Sequence, residues 1–146
     1  MKTKIHAAAG FIGFIMILTF WSSSLISELF LSVAAIQLVK ATILKGMFVL
    51  IPAMVIVGAS GMALGKIYKA GPALKKKKRM PVIAANGLVI LLPAALYLEG
   101  KASLGDFDSW FYIIQSIELC AGALNLTLMG LNIRDGFKMT RPKSRS

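Results

Sequence analysis

His6 is the only histidine of the 146-residue chain, and Glu118 is the one acid set deep inside a long apolar run. An imidazole can ligate a metal or exchange a proton near neutral pH. Helical bundles hold haem through axial His or through His with Met, and glycines beside the ligand make room for the macrocycle. Gly10 and Gly13 follow His6 on the same helical face, so His6 is the candidate metal ligand. With no second histidine, the other axial position would fall to Met62, Met129, a ligand from a partner protein or an open site. The simpler alternative is a boundary histidine beside Lys2 and Lys4.

Glu118 belongs to a polar stripe. Gln115, Glu118, Asn125 and Asn132 recur at intervals of three, seven and seven, with Gly122 and Met129 in register. Those spacings place them on one helical face. Hydrocarbon penalises an ionised carboxylate, so Glu118 is expected to be protonated or paired. No Lys or Arg is expected at its depth, which points to a neutral carboxyl bonded to Gln115 or to another helix. Such a group can relay protons, bond a quinone oxygen or simply fix packing. Asn86 on a neighbouring apolar segment adds a further polar group. The asparagines either bond one another and set helix register or line a pocket. The candidate ligand-binding set is therefore His6, Met62, Asn86, Glu118, Asn125 and Asn132, and the ligands it suits are haem b or a quinone.

The elements that must position these residues are membrane spans. Hydrophobic residues make up 57% of the chain, charged ones only 16%, and mean hydropathy is +0.74. Soluble domains are about a quarter charged. Here the charges are bunched, and the runs between them are long enough for spans of roughly 20 residues. The sequence predicts an all-α integral membrane protein: an antiparallel four-transmembrane-helix bundle, a single domain over residues 1–146. The spans are expected at about 5–27, 42–64, 82–98 and 110–131. Residues 29–43, broken by Ser32, Gln37 and Lys40, are expected to form a short interfacial helix between the first two spans. Pro81 is expected in the first turn of the third span, and Asp108 or Ser109 at the N-cap of the fourth.

Charge sets orientation. Residues 66–81 read as a loop with seven basic residues and no acid, and residues 133–146 as a basic tail. Together with Lys2 and Lys4 these place both termini and the middle loop in the cytoplasm, in a bacterial-type inner membrane, where basic segments meet anionic lipid headgroups. The net charge of +11 is thereby a topology signal, and nucleic-acid binding is not expected. The single cysteine, Cys120, precludes an intramolecular disulfide and is expected as a small packing residue. Hydrolytic motifs are absent: no HExxH, no phosphate loop, and no base beside the serines at 22–24.

The leading expectation is a small polytopic inner-membrane protein with an intramembrane cofactor or quinone-like ligand, serving as an electron-transfer or accessory subunit. The alternatives are a small oligomeric transporter or channel with Glu118 on a permeation or proton path, and a structural assembly factor. Other membrane subunits, or further copies of the chain, are the expected protein partners.

Overall fold

A computed structural model describes residues 2–65 and 72–140, with side chains over 3–63 and 74–138. Every described element is helical. They are α1 (Lys2–Phe30), α2 (Val33–Gly65), α3 (Pro72–Asn86), a π-helical turn (Gly87–Leu91), α4 (Leu92–Ser103) and α5 (Ser109–Thr140). The α3, π and α4 segments run on without a break, so four helical rods result, each long and apolar enough to cross a membrane.

The rods pack antiparallel. Each step forward along α1 meets an equal step back along α2: His6 meets Ser60, Gly10 meets Val57, Gly13 meets Met54, Phe20 lies over Gly46, and Ser24 meets Lys40. Helix α5 returns beside α1, where Trp21 donates to the Leu119 carbonyl at 2.8 Å. The Trp21 ring fits because residue 122 is glycine, where an added Cβ would sit 2.7 Å from Trp21 Cδ1. Two ends can be named by their chemistry. The basic end carries the start of α1, the end of α2, the start of α3 and the end of α5. The turn end carries the two tight reversals.

No separate helix stands between α1 and α2, contrary to the interfacial helix expected at 29–43. The chain reverses in two residues, and Ser32 starts α2 directly: its carbonyl accepts from Ile36 N at 3.0 Å and its hydroxyl from Ala35 N at 3.4 Å. Nothing between Val33 and Lys45 breaks a helix, so α2 runs from Val33 and carries Lys40 into the bundle. The basic segment also differs from expectation. Residues 66–71 lie outside the described residues, but Pro72 onward is helical, so Pro72 rather than Pro81 opens the helix. Pro81 sits inside α3. Likewise α5 continues to Thr140, and of the expected tail only 141–146 lies outside the described residues.

The π turn precedes Pro93. Proline has no N–H for the carbonyl four residues back, and its ring crowds that carbonyl. A widened turn accommodates it, with the Leu92 N–H bonding the Gly87 carbonyl. Helix α4 then ends in a Schellman motif: Gly105, at φ +70°, donates to the Ala102 carbonyl and Asp106 to the Lys101 carbonyl, both at 3.0 Å. Asp108 caps α5 by accepting from Phe111 N at 2.9 Å, as the sequence predicts. Below this turn Ile36, Leu98, Ala102 and Phe111 form a tight apolar cluster. Cys120 instead faces outward.

Lys101 bonds both Asp106 and Asp108 at 2.6 Å. The Lys101 ammonium, then the Phe111 N–H, favour the charged form of Asp108 and hold its carboxyl below its ordinary value of 3.8. A depressed folded-state value means the charge stabilises the fold above the unfolded value, and that contribution is lost as pH falls through the folded one. The thermal midpoint should therefore drop on acidification from about pH 5 toward pH 3, and should drop less in Asp108→Asn, as measured by circular dichroism in detergent.

Candidate functional site

The structure separates the sequence-predicted site residues into three levels. At the basic end, α1, α2, α3 and α5 surround a half-open cavity of about 880 Å³, within the usual size range of small-molecule sites. His6, Met62 and Asn132 line it together with Gly10, Gly58 and Gly61. Three further methionines, Met54, Met80 and Met129, also face it. Lys76 and Lys77 stand on its wall. His6, Met62 and Asn132 thus lie at one level, although Met62 is 69% exposed.

The hydrogen bonds at this cavity define what it offers. The Ser60 hydroxyl donates to the Ile56 carbonyl at 2.5 Å, so toward His6 Nδ1, 2.9 Å away, it acts as acceptor. Nδ1 then carries the proton of a neutral imidazole, and Nε2 keeps a lone pair. Asn132 Oδ1 accepts from Arg79 at 3.4 Å, which leaves the Asn132 amide hydrogens for a ligand. Arg79 is itself anchored on Asp135 at 2.7 Å, tying α3 to α5. Besides Lys76 and Lys77, the cavity wall thus presents one acceptor, at His6, and one amide donor, at Asn132. No group of three or more His, Cys, Asp or Glu residues gathers among the described residues, so a metal at His6 would depend on methionine or non-protein ligands.

Asn86 and Asn125 form the middle level and do not line that cavity. Asn86 Nδ2 donates to Asn125 Oδ1 and to the Ala121 carbonyl, both at 2.8 Å, and Asn125 reaches back to the Ile83 carbonyl at 3.5 Å. Both side chains are buried and spent on each other. Of the two readings of the asparagines, this geometry realises the register-setting one for this pair.

Glu118 belongs to the third level, near the turn end, where the structure corrects the expectation that no cation occurs at its depth. Lys40, 2% exposed, sits 3.3 Å from Glu118 and 3.0 Å from Glu28. Its ammonium also donates to Ser24 Oγ at 3.0 Å and to the Gln115 carbonyl oxygen, and lies 6.0 Å from the centre of the Phe111 ring. The error has a definite source. An interfacial helix at 29–43 would have kept Lys40 at the surface, whereas the unbroken α2 places it two turns inside, about 10 Å from the helix start. Glu28 and Lys40 are site residues that the sequence reading missed. The available signal was the lack of any helix breaker between Val33 and Lys45.

Between this charged level and the basic-end cavity lies an apolar plug of Ile17, Ile83 and Met129, with Leu50 and Met54 packed on it. A small cavity of about 60 Å³ sits on the charged side of the plug, lined by Trp21, Ser24, Met47, Leu91 and Glu118 among others. Glu118 and His6 therefore do not share a site.

Known proteins add no name to this geometry. The chain matches no family model, no curated protein and no solved structure. The site is thus read from its own residues alone.

The Asn86–Asn125 pair should show energetic coupling of about 0.5 to 1.7 kcal/mol, the range for intramembrane hydrogen bonds. A double-mutant cycle of Asn86→Leu and Asn125→Leu, read by unfolding in mixed micelles, measures it. Additive losses would mean that the two side chains do not work as a pair.

Proposed function

We propose that the protein is a small polytopic inner-membrane protein whose basic-end cavity holds an amphipathic redox ligand of the haem b or quinone class, and that it serves as an electron-transfer or accessory subunit. The membrane reading is supported by the rods themselves. Only 17% to 28% of each apolar window is buried within the protein, and Phe11, Leu38, Phe48, Val55, Leu88 and Val89 face outward. In water so large an apolar surface would drive association, whereas lipid satisfies it. The charge bias supports a cytoplasmic side for the end that carries the start of α1 and the end of α5.

The observation that carries the ligand reading is the His6 wall of the 880 Å³ cavity. Glycines at 10 and 58 leave open space in which a flat group can approach the helix backbones, whereas the space over Gly61 is filled by Met80. His6 Nε2 suits either an iron or a quinol hydroxyl, and the Asn132 amide suits a carbonyl oxygen. Met54, Met80 and Met129 supply the soft side chains from which a second axial ligand would come, and Lys76 and Lys77 suit carboxylates such as haem propionates. A haem or quinone held there would supply one-electron transfer. The chain's part is to bind and orient it: Ser60 fixes the imidazole, and Arg79 with Asp135 fixes Asn132. The transport reading has less support, because Glu118 is held by Lys40 and the apolar plug separates it from the larger cavity.

Absorbance spectra and organic extraction of protein purified in mild detergent test this directly. A haem band or a co-purifying quinone is expected, with His6→Ala weakening retention by about tenfold or more and Gly58→Leu lowering occupancy by filling the cavity. A protein that carries neither group, and binds neither when haem or a soluble quinone is added, contradicts the proposal.

A further inference from the structure

The charged level near the turn end is not balanced. Glu28 and Glu118 bring two carboxyls, and Lys40 brings one ammonium. Fully ionised, the group would hold one uncompensated negative charge in a region where Lys40 is 2% and Glu118 14% exposed. Hydrogen-bond capacity is uneven too. An ammonium has three hydrogens, but four oxygens surround Lys40 Nζ: those of Glu28, Glu118, Ser24 and Gln115. Glu28 Oε1, although 3.0 Å from Nζ, has no well-directed hydrogen bond. The Gln115 amide nitrogen, on a side chain 2% exposed, has no acceptor. One carboxylate oxygen of the cluster, Glu28 Oε1, and one buried donor, the Gln115 amide nitrogen, are thus left without partners.

Among the described residues, the surroundings offer no second cation. From α1 come Ser24 and Glu28, from α2 Lys40, and from α5 Phe111, Gln115 and Glu118. Helix α4 contributes apolar Leu98 and Ala102 nearby, while Lys101 is engaged with Asp106 and Asp108.

We propose that Glu28, Lys40 and Glu118 form a proton-binding site in which the two carboxyls share one exchangeable proton. Loading breaks an O–H bond of a hydronium ion and forms one on a carboxyl oxygen, with water leaving. Lys40 stays an ammonium and holds the other carboxylate, so the loaded cluster is neutral. Glu28, two residues from the end of α1 and 10% exposed, is the side from which water reaches the cluster. On the inner side the 60 Å³ cavity beside Glu118 and Ser24 has room for water, which needs roughly 10 to 15 Å³ by this measure. The apolar plug of Ile17, Ile83 and Met129 then closes the route. The plug thereby separates the site from the basic-end cavity. This assignment is independent of what occupies the basic-end cavity.

Infrared titration of the full chain in lipid nanodiscs, with and without ¹³C-labelled glutamate, tests it. The chain has only three glutamates, Glu28, Glu99 and Glu118, so labelling identifies the band without any substitution. One glutamic-acid carbonyl band, shifted by the label and by deuterium, should be present and should be lost as a single proton when the pH is raised. It should persist in Glu99→Gln and vanish in Glu28→Gln/Glu118→Gln, with folding followed by circular dichroism. The absence of a titrating glutamic-acid band in the labelled wild-type protein overturns the proposal, as does a band lost in Glu99→Gln. A thermal midpoint raised by sodium or potassium in place of any such band assigns the missing charge to a metal cation and also overturns it.

Discussion

A single ammonium, that of Lys40, meets three of the four rods. It leaves α2, bonds Ser24 and Glu28 on α1, and bonds Gln115 and Glu118 on α5. Moving such an ion out of water costs several kcal/mol, and the loss is offset only where partners and hydrogen bonds surround it. That constraint fixes which faces of α1, α2 and α5 turn inward at the turn end, since any rotation would part a buried charge from its partners. The Phe111 ring, packed against Leu98 and Ala102 of α4, shields the cluster and brings in the fourth rod.

The other polar groups repeat that logic in weaker form along the bundle. Asn86 and Asn125 join α3 to α5 at mid-height, and Arg79 with Asp135 joins them again at the basic end. Helices that are apolar all round gain no orientation from hydrophobic burial in lipid, so polar pairs and close-packed small residues must set their rotation. Gly122 under Trp21 is the small-residue counterpart between α1 and α5. With these contacts holding the helices together, the cavity around His6 stands out as the larger space lined by polar groups.

Much of this was legible in the sequence. Apolar run lengths and charge bunching sufficed for four membrane-length rods, because both follow from bilayer thickness and need no tertiary knowledge. The Asp108 cap was legible because it is local. His6, Met62 and Asn132 were brought to one level by counting residues along antiparallel helices. What failed was non-local or hidden by a polarity rule. Lys40 read as an interfacial residue because a lysine is rarely buried, yet its partners lie 12 and 78 positions away and are invisible to periodicity. Counting residues sets Asn86 and Asn125 opposite one another along antiparallel helices, but that alone does not say whether two amides face each other or a cavity. Pro81 was assigned to a helix start although Pro72 does that work, since the basic run between them read as a loop on charge alone.

The dependence of the bundle on the Lys40 cluster is tested most directly by comparing the unfolding free energy of Lys40→Met with that of Lys40→Met/Glu28→Gln/Glu118→Gln. Removing the ammonium alone strands two buried carboxyls, and a loss of about 3 to 5 kcal/mol is expected. Neutralising both carboxyls as well should restore most of that loss. A Lys40→Met protein as stable as the wild type, or a triple variant no more stable than the single one, would show that the cluster does not organise the bundle.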